Sequence, residues 1–175
     1  MTTKGPQRRL WHMRQRFSGV PMATAASMMR GGLGAGLAIA GLALLGDATG
    51  AALIAAPLGA SACLVFGAPD SPFAQPRNTA LGHLVGGLCG FGVLAVLGNQ
   101  PLALSLGLAV GLAVALMIGL RCVHPPAAAN PVFIVLTKAP LAFLVTPLMA
   151  GVVLILVFGL LWSRLVGGRY PARWW

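Results

Sequence analysis

The sequence predicts an all-α, polytopic membrane protein with about six transmembrane segments, arranged as two inverted three-helix repeats with broken middle helices. Hydrophobic residues make up 58% of the 175 residues and charged residues only 8%, and the mean hydropathy is +0.88. A soluble domain carries roughly 25% charged residues, so this chain has too little polar surface to stay in water. Six apolar stretches follow one another, and the second and fifth contain prolines.

The six apolar stretches define the order of the predicted elements. Their approximate bounds are 30–46, 50–67, 79–98, 102–120, 123–137 and 140–163, and the first can extend upstream through Met22–Met29. Gly46-Asp47, the polar loop Ala68–Asn78 and the turn Asn99–Pro101 separate the first four stretches, while Arg121 and Lys138 flank the fifth. A helix that crosses a bilayer needs about 20 apolar residues, so the fifth stretch is short for a complete crossing.

The basic residues lie mainly at the two ends of the chain. The net charge is +10, and the terminal basic residues are Lys4, Arg8, Arg9, Arg14, Arg16, Arg30, Arg164, Arg169 and Arg173. Basic residues that flank apolar spans set membrane orientation, so we expect a lipid partner and no nucleic-acid partner. Residues 1–25 are predicted to be a basic cytoplasmic arm, 26–165 a transmembrane domain, and 166–175 a basic tail without a further soluble domain.

A weak internal repeat divides the predicted transmembrane domain into halves, 30–98 and 102–163. Pro57 and Pro125 are 68 positions apart, and the same offset pairs Ala60 with Ala128. Because each half holds three spans, the second half is predicted to be upside down relative to the first. Inverted repeats with broken helices are common in transporters, where the breaks form a substrate site near the membrane midplane.

The two proline-containing segments, Pro57–Ala62 and His124–Asn130, are the predicted substrate site. Proline is tolerated in the first turn of a helix, so each segment is expected to open a short helix whose N-terminus points inward. Free N–H groups and the helix dipole favour a small anion there. The predicted anion-binding residues are Gly59, Ala60, Ser61, His124, Pro125, Pro126, Ala127 and Asn130. The alternative is a pair of proline kinks that neighbouring helices repair.

A second group of polar residues is predicted to form the entrance or gate. It consists of Arg77, Asn78, His83 and Arg121. Arg77 either draws anions towards the site or anchors a helix end at the interface. His83, Ser61 and Asn130 either face a cavity or hydrogen-bond between helices. His124 either contacts the anion and relays a proton, or hydrogen-bonds a carbonyl loosened by the break.

The sequence offers little support for an enzyme. Asp47 and Asp70 are the only acidic residues, and both lie in predicted loops. The three histidines and the isolated Cys63, Cys89 and Cys122 have no metal-ligand spacing. We therefore expect no catalytic residues, no metal and no cofactor.

Several short motifs together resemble one family. His124–Ala129, Pro57–Ala62 followed by Phe66–Pro69, and the run Ser71–Asn78 followed by Gly82-His83 resemble the HPP family of integral membrane proteins. The resemblance covers roughly residues 25–165. Chloroplast and cyanobacterial members are associated with nitrite transport, and some members carry appended regulatory domains. Ala128 stands where His-Pro-Pro motifs of this family tend to have glycine.

These observations predict a small-anion transporter or channel, with nitrite as the substrate that the resemblance implies. We expect it in a bacterial inner membrane as a homo-oligomer. The alternative is a membrane sensor or scaffold that binds a ligand without transporting it. Transport of a cation or neutral solute is disfavoured by the scarcity of carboxylates.

The charge pattern predicts that both termini are cytoplasmic. A re-entrant fifth stretch would place the arginines of the tail outside, against the usual distribution of positive charge. A reporter enzyme that is active only in the cytoplasm, fused after Trp175, should therefore be active. Activity of a reporter that works only outside the cytoplasm would contradict this topology.

Overall fold

The fold is all-helical, as the sequence predicts. The computed structural model describes residues 23–98 and 101–174, and within them it contains no strand. The six α-helices are α1 (Ala25–Thr49), α2 (Ala56–Gly67), α3 (Pro76–Leu97), α4 (Leu102–Gly119), α5 (Ala129–Thr137) and α6 (Ala150–Leu165). The 3-10 turns Pro72–Ala74 and Pro125–Ala128 precede α3 and α5, and a π-helical segment, Leu144–Met149, leads into α6. Most of the predicted basic arm, residues 1–22, and Asn99-Gln100 of the predicted turn lie outside the described residues.

In the described part of the chain, four helical segments are long and apolar enough to cross a membrane. They are Ala25–Thr49, Pro76–Leu97, Leu102–Gly119 and Leu144–Leu165. The chain is therefore a polytopic membrane protein. By contrast, α2 has 12 residues, which makes it about 18 Å long against a hydrocarbon core of about 30 Å. The apolar segment Pro125–Thr137 is similarly short, so the middle member of each half is a half-length helix.

Some predicted bounds were wrong, for local reasons. The helix in the second stretch begins at Ala56 rather than at 50, because residues 51–55 are non-helical and Pro57 occupies its first turn. Helix α3 begins at Pro76, inside the predicted loop, since proline fits the first helical position. By contrast, α1 begins at Ala25, within the upstream extension predicted for the first stretch. The hydroxyl of Thr24 accepts a hydrogen bond from the N–H of Ser27 at 3.1 Å.

The helices pack in two groups, and each group contains two helices of one half and the third helix of the other half. Helices α1 and α2 of the first half pack with α6 of the second, while α4 and α5 of the second half pack with α3 of the first. This reciprocal arrangement is the one that two related halves would produce. The start of α1 and the end of α6 meet, since the indole Nε1 of Trp162 donates to the carbonyl of Arg30 at 3.2 Å. This end of the molecule carries Arg30 at the start of α1 and Arg164 in the last turn of α6. We call it the arginine face.

A row of glycines on α3 brings the Pro125 turn and α5 against this helix. Gly82, Gly86 and Gly90 are four residues apart and all are buried. A Cβ on Gly82 would lie 2.7 Å from the Cβ of His124, and one on Gly90 would lie 2.8 Å from the Cα of Pro131. A Cβ on Gly86 would collide with the carbonyl oxygen of Ala127. Such close backbone approach is how small residues stabilise helix pairs in membranes.

This packing predicts that Gly86→Ala destabilises the protein. The added methyl meets backbone, which cannot rotate away, so we expect a loss of about 1–3 kcal/mol. Gly92→Ala on the same helix is the matched control, because a Cβ there meets nothing within 4 Å. Thermal unfolding in detergent should show a lower midpoint for Gly86→Ala only. Equal midpoints for the two variants would contradict a tight contact at Gly86.

Candidate functional site

Five polar side chains meet in the interior of the bundle. They are Ser61, Thr79, His83, His124 and Asn130, and each is 0% exposed. They come from α2, α3, the residue before the Pro125 turn, and α5. Both proline-containing segments therefore contribute to one place, as the sequence predicts. Lipid cannot satisfy such groups, so they must bond to each other or to a ligand.

The hydroxyl of Ser61 lies at the centre of this polar cluster. Its Oγ is 2.7 Å from Nε2 of His83 and 2.9 Å from Nε2 of His124. The same oxygen is 3.1 Å from the carbonyl oxygen of Pro57, one helical turn earlier. The two imidazole rings are 5.0 Å apart between centroids, with 56° between their planes. Ser61 thus bridges the two histidines.

Nδ1 of each imidazole, the nitrogen that does not contact Ser61, also has hydrogen-bond partners. Nδ1 of His124 lies 2.7 Å from the carbonyl oxygen of Phe73 and 3.4 Å from the hydroxyl of Thr79. Nδ1 of His83 lies between the two ends of the Asn130 amide, 3.0 Å from Nδ2 and 3.3 Å from Oδ1. The Asn130 amide is oriented by the carbonyl of His83, which accepts from Nδ2 at 3.1 Å.

Local backbone geometry aims His124 at α2. Its backbone is extended, with φ −136° and ψ 98°, because a residue before proline is pushed away from helical geometry. Its imidazole can therefore reach Ser61 rather than follow the path of α5. On α3, Thr79 and His83 share a face because they are four residues apart.

The polar cluster lies between the arginine face and the middle of α3. His83 is seven residues after Pro76, the first residue of the 22-residue α3, which places it about 10 Å along that helix. Because α3 is about 33 Å long, His83 lies nearer to its middle than to its end. Ser61 likewise lies inside α2, past its N-terminus. A site near the membrane midplane stays a prediction.

The predicted cradle of free backbone N–H groups is absent from α2. Because the helix begins at Ala56, the N–H groups of Ala60 and Ser61 are already used within it. Gly59 and Ala60 are exposed, whereas Ser61 is buried. Gly59 instead lines a groove between α1 and α2. Only Ser61 of the three residues predicted here belongs to the cluster.

The Pro125 turn also offers no free N–H at its start. Pro125 and Pro126 have none, and the N–H of Ala127 donates to the carbonyl of His124 at 2.9 Å. Pro125 is exposed, while Pro126 and Ala127 are buried. The prediction of an amide-lined anion site was therefore wrong. In this conformation the polar atoms of the site come from side chains and from the carbonyl groups of Pro57, Phe73 and His83.

The predicted entrance residues divide into two groups. His83 belongs to the cluster itself. Arg77 donates to the carbonyls of Arg121 and Leu120 at 2.6 and 2.9 Å, and Asn78 donates to that of Val123 at 3.0 Å. These bonds tie the start of α3 to the end of α4, so Arg77 and Asn78 position the chain that leads to His124.

A cavity of about 400 Å³ opens beside this junction on the arginine face. Its lining residues are Pro72, Gln75, Arg77, Asn78, Arg121, Arg173 and Trp174. Three of these carry positive charge and none is acidic. The turn Pro72–Ala74 separates the cavity from the cluster, since Pro72 lines the cavity and the Phe73 carbonyl binds His124.

The C-terminal tail is fastened to the same turn. The hydroxyl of Tyr170 donates to the carbonyl of Ala74 at 2.9 Å. The side-chain oxygen of Gln75 accepts from the N–H groups of Ala172 and Arg173 at 2.9 and 3.1 Å. Burial raises the pKa of Tyr170, so its hydroxyl remains a donor at physiological pH. The tail is thus packed and bonded between residues 166 and 174.

Sequence reasoning missed four residues of this region. They are Thr79, Gln75, Arg173 and Trp174. Thr79 could have been found, because it lies one helical turn before His83 on the same face. Arg173 and Trp174 gave no sequence signal beyond basic charge, since only the folded tail brings them to the cavity.

Metal binding has no support in the part of the chain that the structure describes. Within residues 23–98 and 101–174, no three histidine, cysteine, aspartate or glutamate side chains are grouped to hold a metal ion. Cys89 and Cys122 are buried among apolar side chains, and Cys63 is exposed.

The fold and the cluster define a class: a polytopic membrane protein with two half-length helices that bring buried polar side chains together. A model of the HPP transmembrane region matches residues 20–171, and the chain belongs to this family. Two transmembrane proteins of Dictyostelium discoideum are similar. One is 35% identical over 123 residues, covering 66% of this chain and 40% of the relative. The other is 32% identical over 123 residues, covering 66% of this chain and 43% of the relative.

The matched region is less than half the length of these two curated relatives. No solved structure matches the chain. The family assignment confirms the resemblance seen in the His-Pro-Pro and Ala-Gln-Pro-Arg-Asn motifs.

The hydrogen bonds of Gln75 predict that Gln75→Ala loosens the tail. Loss of the side chain leaves two backbone N–H groups without their acceptor, so trypsin should cut after Arg169 and Arg173 at least about tenfold faster. Thr137→Ala is the control, because its hydroxyl bonds only within its own helix, to Phe133. Unchanged cleavage in Gln75→Ala would show that the tail is held without these bonds.

Proposed function

We propose that this protein transports a small inorganic anion, with nitrite as the substrate. The observation that carries the proposal is the buried cluster at the meeting point of two half-length helices. Polar side chains inside a membrane domain usually mark a path for ions or substrates. Paired half-length helices in two related halves are a common form of transporter substrate site. HPP membership supports nitrite in particular, because the resemblance associates the family with nitrite transport.

The charge around the cluster favours an anion over a cation. Arg77, Arg121 and Arg173 line the cavity that leads towards His124, and no acidic residue lines it. Positive charge at a cleft raises the local concentration of anions. Arg77 both binds the carbonyl groups of the junction and lines the cavity, so it serves both the junction and the entrance.

Binding of an anion would rely on side-chain donors. Ser61, Thr79, His83, His124 and Asn130 already bond to each other or to backbone, so an anion must replace some of these bonds. The turn Pro72–Ala74 is the part that would move to admit it, because this turn contacts both the cavity and His124. Movement of a short turn between two bonded states is compatible with a carrier or a gated pore.

The remaining properties are part of the same proposal. We propose a bacterial inner-membrane protein with cytoplasmic termini, a small anion and lipid as its partners, and a homo-oligomeric state. The positive charge of the arginine face favours the cytoplasmic side. We do not propose catalysis, a cofactor or a nucleic-acid partner.

The fastened tail favours a second candidate function, ligand sensing. Tyr170 and Gln75 connect the C-terminal tail to the turn that holds His124. A ligand that moves this turn would change the tail, which a partner could detect. A sensor would bind the anion without net flux, so flux separates the two candidates.

Nitrite uptake into liposomes that contain the purified full chain tests the proposal. We expect uptake above that of empty liposomes, and a fall of well over half in His124→Ala, since the variant leaves Ser61 without one of its partners. Nitrate, formate and chloride are the comparison ions. Thr137→Ala is the control variant, because Thr137 is exposed and away from the cluster. Absence of flux for all four anions would overturn the proposal.

A further inference from the structure

The hydrogen bonds of the cluster favour one tautomer for each histidine. The carbonyl of Phe73 only accepts, so Nδ1 of His124 must carry a proton and its Nε2 must be free to accept. Nδ2 of Asn130 donates to the carbonyl of His83 and, with its second hydrogen, to Nδ1 of His83. Neutral His83 therefore carries its proton on Nε2. The two histidines have opposite tautomers.

Ser61 completes a chain of donors that runs in one direction. In the neutral cluster, Nε2–H of His83 donates to Oγ of Ser61 at 2.7 Å. The Ser61 hydroxyl has one hydrogen and two acceptors in reach, the Pro57 carbonyl at 3.1 Å and Nε2 of His124 at 2.9 Å. In this chain it donates to Nε2 of His124, the nearer of the two. The chain begins at the Asn130 amide and ends at the Phe73 carbonyl, and each imidazole nitrogen and the Ser61 hydroxyl have a matched partner.

The same atoms can hold one more proton. Both hydrogen bonds between His83, Ser61 and His124 then run in the opposite direction. A proton added at Nδ1 of His83 faces Oδ1 of Asn130, 3.3 Å away. His83 then gives its Nε2 proton to Ser61, and Ser61 gives its own to Nε2 of His124. The result is a doubly protonated His124, whose Nε2–H donates to Ser61, while the Ser61 hydroxyl donates to His83. Protons balance, and one positive charge has moved across the cluster.

We propose that Ser61, His83 and His124 form a proton relay that takes up one proton together with the transported anion. The anion half of this proposal rests on the proposed function. Within the described residues, the groups that face the two imidazoles are the Ser61 and Thr79 hydroxyls, the Asn130 amide and the carbonyl of Phe73. No charged side chain is among them. The chain's only carboxylates, Asp47 and Asp70, are exposed.

This lack of a counter-charge is what links the proton to the anion. A positive charge in a buried site without a partner is costly, and so is a bare anion. An anion bound beside the protonated pair neutralises both. Since the arginines lie at the cavity rather than in the cluster, the proton is the cation that can accompany the anion into the site. The expected stoichiometry is therefore one proton for each monovalent anion.

Nitrogen NMR of the histidine rings tests the relay without any transport. The full chain, labelled with ¹⁵N-histidine in detergent micelles, has His12, His83 and His124 as its three histidines, and His83→Gln and His124→Gln assign the signals. We expect the Nε2–H tautomer for His83 and the Nδ1–H tautomer for His124 near neutral pH. Acidification should add one proton to the pair. The opposite tautomer at either residue, or independent uptake of two protons, would overturn the relay.

Nitrite flux under an imposed membrane potential tests the coupling. Symport of one proton with one nitrite moves no net charge, so an inward proton gradient should increase the initial rate and a potassium diffusion potential should not change it. Flux into empty liposomes is subtracted, since nitrous acid itself crosses bilayers. Flux that follows the potential and ignores the proton gradient would overturn the coupling and leave anion transport intact. Absence of any anion flux would instead remove the proposed function, while the tautomers still decide the relay.

Ser61→Ala tests the bridge between the histidines. It should lower nitrite flux at least about tenfold and abolish the response to the proton gradient, whereas Ser61→Thr, which keeps the hydroxyl, should retain both. Ser105→Ala is the matched control, because Ser105 is also buried in a helix but its Oγ has no hydrogen-bond partner. If Ser61→Ala keeps the full gradient response, the relay is wrong.

Discussion

The close contact between α3 and the Pro125 turn is the constraint on which the rest of the structure depends. Gly82, Gly86 and Gly90 let the backbone around residues 124–131 lie directly on α3. Without that approach His124 would stand off from His83, and Asn130 could not reach the carbonyl of the same histidine. The contact has little apolar driving force in lipid, so its stability comes from packing and from the hydrogen bonds it permits.

Satisfaction of buried polar groups explains why the cluster has its particular composition. Two half-length helices leave backbone and side-chain groups within the membrane domain, and each must find a partner. Prolines remove N–H groups at the starts of α2 and of the Pro125 turn. The N–H group of Ala127 donates to the nearby carbonyl of His124. The remaining donors and acceptors belong to side chains, which bond to each other around Ser61. In a network of this kind, protons can move between groups while the heavy atoms stay in place.

The arginine face and the tail form a second layer around the same turn. Arg77 and Asn78 hold the end of α4 and the residues that follow it, while Gln75 and Tyr170 hold the tail. Both sets of bonds converge on residues 72–79, a short stretch between α2 and the first turn of α3. That stretch separates the charged cavity from the buried cluster, so both layers determine how the cluster can be reached.

The sequence by itself determined the membrane class, the order of the helices, the two half-length middle segments and the family. Each of these follows from local composition or from a contiguous motif such as His124-Pro125-Pro126. The sequence also indicated Ser61, His83, His124 and Asn130, because polar residues inside apolar stretches are conspicuous. It could not decide which neighbours of Ser61 turn inward, since that depends on where α2 begins, and it overestimated the role of backbone N–H groups.

Only the tertiary structure decided the partners of each imidazole and the position of the tail. The distance from Ser61 to His124 spans 63 positions of sequence, and that from Gln75 to Arg173 spans 98. Such contacts depend on how whole helices pack, which composition and periodicity do not encode. The physical reason is the same in each case: a hydrogen bond between distant residues needs both backbones placed to within a few tenths of an ångström, and only the packed bundle does that.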